Sequence, residues 1–236
     1  MKLMKSCITR ILAAALVAVT LLSLTACGGV PSLTPNEKGG YVNAKTDVVY
    51  YPAPDCYEAR SYNAEEPVAL NDGVHFYAVD GTENDTWLYS PDFGILLYAE
   101  GQTLPTLGAL EPTLMKVILD DGGISKTLYE VESEDKIDAI LDAYEEGASI
   151  EYPGKRANYK FYLKLYSDKT PWIVYNLMFV QYAEDLTVTV KDADGEISEV
   201  NYGKNFLYNR AEDRFVPIGD ELQEYIDDYY HNADAE

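Results

Sequence analysis

The chain shows its clearest pattern between Tyr159 and Tyr166, where apolar and polar side chains alternate. The apolar set is Tyr159, Phe161, Leu163 and Leu165. A period of two predicts a strand with one face in the core and one face in solvent. Shorter runs of aromatic and β-branched residues, separated by Gly, Pro, Asn and Asp, predict further strands. They cover residues 48–51, 74–79, 87–89, 95–98, 114–119, 124–131, 172–180, 186–190, 197–202 and 206–208.

Two stretches have the period of a helix instead. Residues 134–146 lie between Ser133, a favourable N-cap residue, and Gly147. Their apolar side chains lie three and four positions apart, at Ile137, Ile140, Leu141 and Tyr144. Residues 220–230 repeat this spacing at Leu222, Tyr225, Ile226 and Tyr229, with Asp220 and Gln223 placed to form a capping box at the start of the helix. Because hairpin-length connections favour antiparallel pairing, we expect an α+β fold, a mostly antiparallel β-sheet with both amphipathic helices packed on it.

The N-terminus has the layout of an export signal. Lys2, Lys5 and Arg10 precede residues 11–22, which carry no charge, and small and polar residues follow. A membrane-spanning helix needs about 20 apolar residues, so this run of twelve is short for a permanent span. The pattern is typical of a cleaved secretory signal peptide.

A cysteine follows this signal directly. The stretch Leu24-Thr25-Ala26-Cys27, with two glycines after it, resembles the lipobox of bacterial membrane lipoproteins. The resemblance covers residues 1–29 and implies cleavage between Ala26 and Cys27, with a diacylglyceryl group on the Cys27 thiol. Since two acyl chains hold a protein stably on a bilayer, the resemblance places the chain on the outer face of the bacterial cell membrane. The alternative is a plain secreted protein with a cysteine at this position by chance.

These signals divide the chain into four regions. Residues 1–26 form the signal peptide, and residues 27–46 are rich in Gly, Pro, Ser and Asn, which predicts a flexible tether. Residues 47–112 read as an N-terminal β-rich region. Residues 113–232 contain both predicted helices and the longest strands, and we expect them to form a C-terminal α+β domain.

Charge narrows the choice of partners. The net charge is −22, and the leader holds three of the 18 basic residues and no acidic one, so the mature chain carries −25. Such a chain is repelled by nucleic acid, and we exclude nucleic-acid binding on this ground. The remaining partners are cations, cationic peptides, neutral glycans and basic protein surfaces. The charge also has a simpler interpretation, which is that it keeps an exported protein soluble.

The cysteine, histidine and acidic residues form no recognisable catalytic motif in the sequence. Cys56 is the one cysteine left after processing and lies beside acidic residues that disfavour the thiolate. With only His75 and His231 available, we predict no metal site, and we expect no cofactor because phosphate and dinucleotide motifs are missing. Acidic pairs such as Glu145-Glu146, Asp120-Asp121 and Asp227-Asp228 leave a hydrolase open without selecting its catalytic residues. The balance favours a protein that is not an enzyme.

Tyrosine is the most unusual component, at 21 residues. Tyr162 and Tyr166 fall on the solvent face of the alternating strand together with Lys160 and Lys164. Amphipathic rings on an open face suit contact with a peptide or a glycan, although tyrosine is also an ordinary strand residue at a half-buried boundary. We therefore expect a lipid-anchored extracytoplasmic binding or accessory module for a protein, peptide or glycan ligand. The alternatives are an envelope hydrolase and, third, the solute receptor of a transporter, which usually has two α/β lobes.

Overall fold

The computed structural model describes residues 29–83, 85–121, 124–154, 157, 159–191 and 196–227. In chain order the strands are β1 (Leu33–Pro35), β2 (Tyr41–Asn43), β3 (Val49–Pro52), β4 (Tyr57–Ala59), β5 (Ala69–Asn71), β6 (Val74–Ala78), β7 (Trp87–Ser90), β8 (Ile95–Ala99), β9 (Leu114–Asp121), β10 (Ile124–Val131), β11 (Tyr159–Tyr166), β12 (Ile173–Gln181), β13 (Thr187–Lys191), β14 (Ile197–Asn201), β15 (Asn205–Asn209) and β16 (Arg214–Pro217). The helices are α1 (Leu107–Leu110) and α2 (Glu134–Glu146), and residues 223–227 are also helical. All strand pairs within the sheets are antiparallel, so the prediction of a mostly antiparallel β-sheet is confirmed. Among the described residues, no helix has the length and apolar character needed to cross a membrane.

The first sheet closes on itself. Its seven strands run in the order β1-β2-β3-β8-β7-β6-β5, and the two end strands meet at a parallel bridge between Ser32 and Leu70. The Leu70 N–H donates to the Pro31 carbonyl at 2.9 Å, and the Asn71 side-chain amide donates to the Leu33 carbonyl at 3.0 Å. Because neighbouring side chains point to opposite faces of a strand, alternate residues fill the closed interior. This interior is Leu33, Tyr50, Ala69, Phe76, Leu88, Leu97 and Ala99.

β1 and β2 lie inside residues 27–46, for which the sequence predicts a flexible tether, and the structure differs from that expectation at residues 33–43. Leu33 and Asn43 are 3% and 5% exposed, so this segment is packed rather than free. The polar residues between the strands form a turn, in which the Asn36 side-chain oxygen accepts from the N–H groups of Lys38 and Gly40 at 2.9 Å. Gly and Pro therefore mark tight turns here and do not indicate a loose coil.

The second sheet is built around β11 and β12. Its order is β10-β9-β11-β12-β15-β16, and β4 pairs with β12 on the same side as β15 but nearer the start of β12. β4 belongs to the predicted N-terminal region, so residues 47–112 and 113–232 are joined through a shared sheet. They also share the main core, in which Trp87 and Leu96 from the outer side of the closed sheet pack with residues of the second sheet such as Met115 and Phe161.

α2 covers the residues predicted for the first helix, and its buried side chains are Ile137, Ile140, Leu141 and Tyr144. Ser133 makes no side-chain capping bond. Gly147 has φ −66°, an extended conformation, so it is not the left-handed C-cap that its position suggests. A glycine is needed there for space, because a Cβ atom would lie 2.2 Å from Val216 Cγ1.

The Arg214 side chain caps the C-terminal end of α2. Its guanidinium donates to the carbonyls of Tyr144 and Glu145, both at 2.8 Å, and lies 4.7 Å from the Tyr144 ring centroid. The last carbonyls of a helix have no partner within the helix, so a cation at this position satisfies them and also suits the helix dipole.

The second predicted helix, residues 220–230, lies only partly within the described residues, which end at 227. Leu222 and Ile226 are 2% and 3% exposed and belong to the main core. The Gln223 side-chain oxygen accepts from Gln181 at 2.9 Å and does not complete the predicted capping box with Asp220. Tyr229 lies outside the described residues.

A third apolar cluster covers one end of the other face of the second sheet. The hairpin β13–β14 follows β12 and lies beside this cluster. Its buried members are Val180, Tyr182, Leu186, Phe206 and Phe215. The remainder of that face stays open, and it carries the residues considered next.

Candidate functional site

Tyr162 and Tyr166 lie on the partly open face of β11. Both are half-buried, while Phe161, Leu163 and Leu165 between and beside them are 0–1% exposed and face the main core. The predicted alternation of this strand is therefore confirmed for the residues whose side chains are described. Contact between the two tyrosines and a ligand stays a prediction.

The strand register places a polar row across this face. Lys164 on β11 is directly opposite Lys116 on β9 and Asn176 on β12, and Lys116 is opposite Glu130 on β10. Lys116 Nζ lies 2.6 Å from Glu130 Oε1, and Lys164 Nζ lies 2.5 Å from Glu58 Oε2. The hydrogen bond that Lys116 donates to Glu130 raises the pKa of Lys116, so this lysine is charged at neutral pH. We call these five residues the polar row.

The Tyr166 ring lies between two cations. Arg60 Cζ is 5.4 Å from the ring centroid and Lys116 Nζ is 5.6 Å from it. Both distances fall within the range of cation–π attraction. Counting Lys164, Glu130 and Glu58 with these two cations, the group around the ring has a net charge of +1, in a chain whose net charge is −22.

Tyr162 borders a small depression of about 180 Å³. The register sets Tyr162 opposite Met178, which in turn is opposite Tyr208 on β15. The depression is lined by Asp55, Cys56, Tyr162, Asn176, Met178, Tyr208 and Arg210. The side-chain oxygen of Asn176 is buried and has no hydrogen-bond partner among the described residues, and a buried acceptor of this kind normally has one.

Cys56 sits under this depression as a buried thiol. Burial raises its pKa to about 11, with the charges of Glu212 and Asp55 acting in the same direction against a hydrogen bond to Tyr175. The thiol is therefore protonated at neutral pH, and since the thiolate is the nucleophile, Cys56 is unreactive.

Sequence reasoning finds the two tyrosines and Lys164 but misses Glu58, Arg60 and Lys116. Glu58 and Lys164 are 106 positions apart, and only the pairing of β4 with β12 brings them together. No local pattern carries that information. Lys160, which the sequence groups with this face, is exposed and pairs with Val180 at the end covered by the third apolar cluster.

Six acidic residues lie together at a different place. A groove of about 490 Å³ runs between α1 and α2, and its carboxylates are Glu111, Glu134, Asp138, Asp142, Glu145 and Asp168. The described residues contain no group of three or more His, Cys, Asp and Glu side chains able to hold a metal ion. His75 is exposed on β6, and His231 and Asp228 lie outside the described residues.

Comparisons with protein-family models, with curated proteins and with solved structures find no match. The functional assignment therefore rests on the residues of this chain.

Proposed function

We propose that the protein is a lipid-anchored binding module on the outer face of a bacterial cell membrane. Cys27 is the anchor, and the open face of the second sheet takes the ligand, which is a protein, peptide or glycan. The lipobox Leu24-Thr25-Ala26-Cys27 supports the anchor. The polar row with Tyr162 and Tyr166 supports the binding face.

The observation that carries the binding proposal is the Tyr166 ring between Arg60 and Lys116. Long cationic side chains beside half-buried aromatic rings bind carboxylates and hydroxyl groups, and the rings bind apolar parts of the same ligand. Lys164 lies next to this group and extends it towards Tyr162. The whole chain is acidic and favours cationic or neutral partners, but this group has a net charge of +1, so we propose a ligand that presents a carboxylate beside apolar groups, such as an acidic peptide or a peptide-bearing cell-wall glycan.

The anchor is tested by Cys27→Ala in cells fed a labelled fatty acid. The wild-type chain should take up the label and lose its leader, while the variant should remain an unlabelled precursor. Cys56→Ala is the matched control, because its thiol is buried, and it should be labelled as the wild type is. A Cys27→Ala chain that is processed and labelled normally would remove the basis for the anchor.

The binding face is tested by calorimetric titration with acidic peptides and with soluble peptidoglycan fragments. Tyr166→Ala and Lys164→Gln should each weaken binding about tenfold, which corresponds to about 1.4 kcal/mol. Lys160→Ala is the control on the same strand and should bind as the wild type does. Equal affinities for all four proteins would refute the face as the binding site.

A hydrolase that uses paired carboxylates is the second candidate, and the acidic groove between α1 and α2 supports it. Retaining and inverting glycosidases both need two carboxyl groups across a cleft. Release of soluble sugars from peptidoglycan, lost in Glu145→Gln, would establish this activity. Intact activity in that variant, or no release by the wild type, would count against it.

The arrangement of both amphipathic helices on the sheet is also a proposal. For the second helix it is supported by the burial of Leu222 and Ile226. We propose that the helical residues 223–227 belong to this second helix and pack next to α2, where Lys136 Nζ lies 2.6 Å from Glu224 Oε1.

A further inference from the structure

A second cavity lies away from the open sheet face, where the closed first sheet meets the second sheet. Its volume is about 350 Å³, within the range of small-molecule sites. It contains both tryptophans of the chain, Trp87 from β7 and Trp172 from the residue before β12. The two residues are far apart in sequence, and they line the same cavity only because the two sheets pack together.

The two tryptophans have different roles in this cavity. Trp87 is 3% exposed and packs against Tyr98, with ring centroids 5.8 Å apart, so it forms a fixed base. Trp172 is half-buried, and its backbone carbonyl accepts from the Arg60 N–H at 3.0 Å, which holds it to the end of β4. The backbone of Trp172 is therefore held in place, and its half-buried indole offers an apolar surface that solvent still reaches.

Hydrogen-bonding side chains surround these rings. Thr82, Glu83 and Thr86 belong to the β6–β7 connection, and Gln102 follows β8. The Thr82 hydroxyl donates to the Val79 carbonyl at 2.7 Å, which leaves its oxygen as an acceptor. A hydroxyl, an amide and one carboxylate around an aromatic surface supply both donors and acceptors to a ligand.

We propose that this cavity binds one unit of a neutral saccharide. A sugar ring has a C–H face that packs on an indole and a rim of hydroxyl groups that pair with Thr, Gln and Glu side chains. The mixture of one accessible indole with mainly uncharged polar groups matches that ligand. This site is separate from the polar row and does not depend on the ligand proposed there.

A quaternary ammonium group is the competing ligand, because aromatic cages with a carboxylate bind such cations. A cage needs several ring faces around the cation. Trp87 is covered by its own packing, and the side chains of Thr82, Thr86 and Gln102 carry no charge. The geometry therefore favours the saccharide.

The experiment uses tryptophan fluorescence, since both tryptophans line the cavity and emission is excited where tyrosine does not absorb. The full lipid-anchored chain is kept in a detergent without a sugar headgroup. It is titrated with neutral oligosaccharides of glucose, N-acetylglucosamine, mannose and galactose, and separately with choline. Each titration runs to about 10 mM, where a Kd of 1 mM gives near saturation.

We expect a saturable change in emission with at least one of the oligosaccharides. Gln102→Ala should weaken it at least tenfold, whereas the exposed neighbour Thr103→Ala should leave it unchanged. Gln102 is exposed, so its loss does not threaten the fold. No saturable response to any oligosaccharide, a response that Gln102→Ala leaves intact, or a response to choline alone that disappears in Glu83→Gln would each overturn the proposal.

Discussion

The burial of Ile226 gives the sharpest test of how the C-terminal segment is held. Its side chain is 3% exposed and lies in the main core. Ile226→Ala removes three carbon atoms, which costs about 2.4 kcal/mol at about 0.8 kcal/mol for each buried group. The space left behind adds to this, so the total loss should be roughly 3–5 kcal/mol.

The assay is urea unfolding of a chain that begins at Gly29, and far-UV circular dichroism measures the folded fraction at each urea concentration. With a slope of about 3 kcal/mol/M, the expected loss lowers the midpoint by about 1 M or more. Glu224→Ala is the control two positions earlier. The sequence suggests that removing one of many acidic groups is neutral or stabilising, but Glu224 pairs with Lys136 at 2.6 Å on the surface, so we expect a small loss of stability.

Equal and negligible midpoint shifts in the two variants would refute the reasoning. That result would mean that the apolar side of residues 220–230 is not part of the core. The segment would then be a free amphipathic helix, and the interaction site would have to be sought there instead of on the open sheet face.

Three further predictions concern the whole fold. A chain that begins at residue 47 should unfold at lower urea than one that begins at Gly29, because it lacks β1 and β2 and opens the closed sheet. Burial, aided by the charge of Asp85, raises the pKa of Tyr50 from 10.0 to about 12. The protonated form therefore stabilises the fold below pH 10, and this contribution is lost as the pH rises to 12. Tyr50→Phe should reduce the loss of stability between pH 10 and 12. Chelator with reductant should leave the melting temperature of the chain from Gly29 unchanged, and a large drop would reveal a metal or disulfide that the sequence does not predict.

Local periodicity explains which elements the sequence predicts well. β11 has eight residues and α2 has thirteen, long enough for a period of two or of 3.6 to stand out. β1 and β2 have three residues each and lie among glycines and prolines. No period can be read from three residues, and their place in the sheet depends on partners such as Leu70, which is distant in sequence.

The residues of the candidate site also fall into two groups, those whose placement the sequence predicts and those whose placement it does not. Tyr162 and Tyr166 share a face because of the period of one strand, so the sequence predicts their placement. Arg60 and Glu58 reach that face only through the pairing of β4 with β12, and the register of Lys116 depends on β9. The capping errors at Gly147 and Gln223 have another cause, since tertiary neighbours compete for the positions and hydrogen bonds that isolated helices would use.

If the protein is anchored at Cys27 as we propose, the bridge between Ser32 and Leu70 also limits how far the folded part reaches from the bilayer. A flexible chain of about 18 residues after the anchor would average on the order of 25 Å in length and let the folded part turn freely. With the anchor that we propose at Cys27, only the four residues 28–31 separate the lipid-bearing residue from Ser32 in the bridge, and the five steps between these two Cα atoms span at most about 17 Å. The folded part is then confined close to the headgroups, within a narrow range of orientations. A cell-wall glycan of the kind proposed as ligand is then within range only where it approaches the membrane surface, and a ligand fixed deep in the wall is out of range.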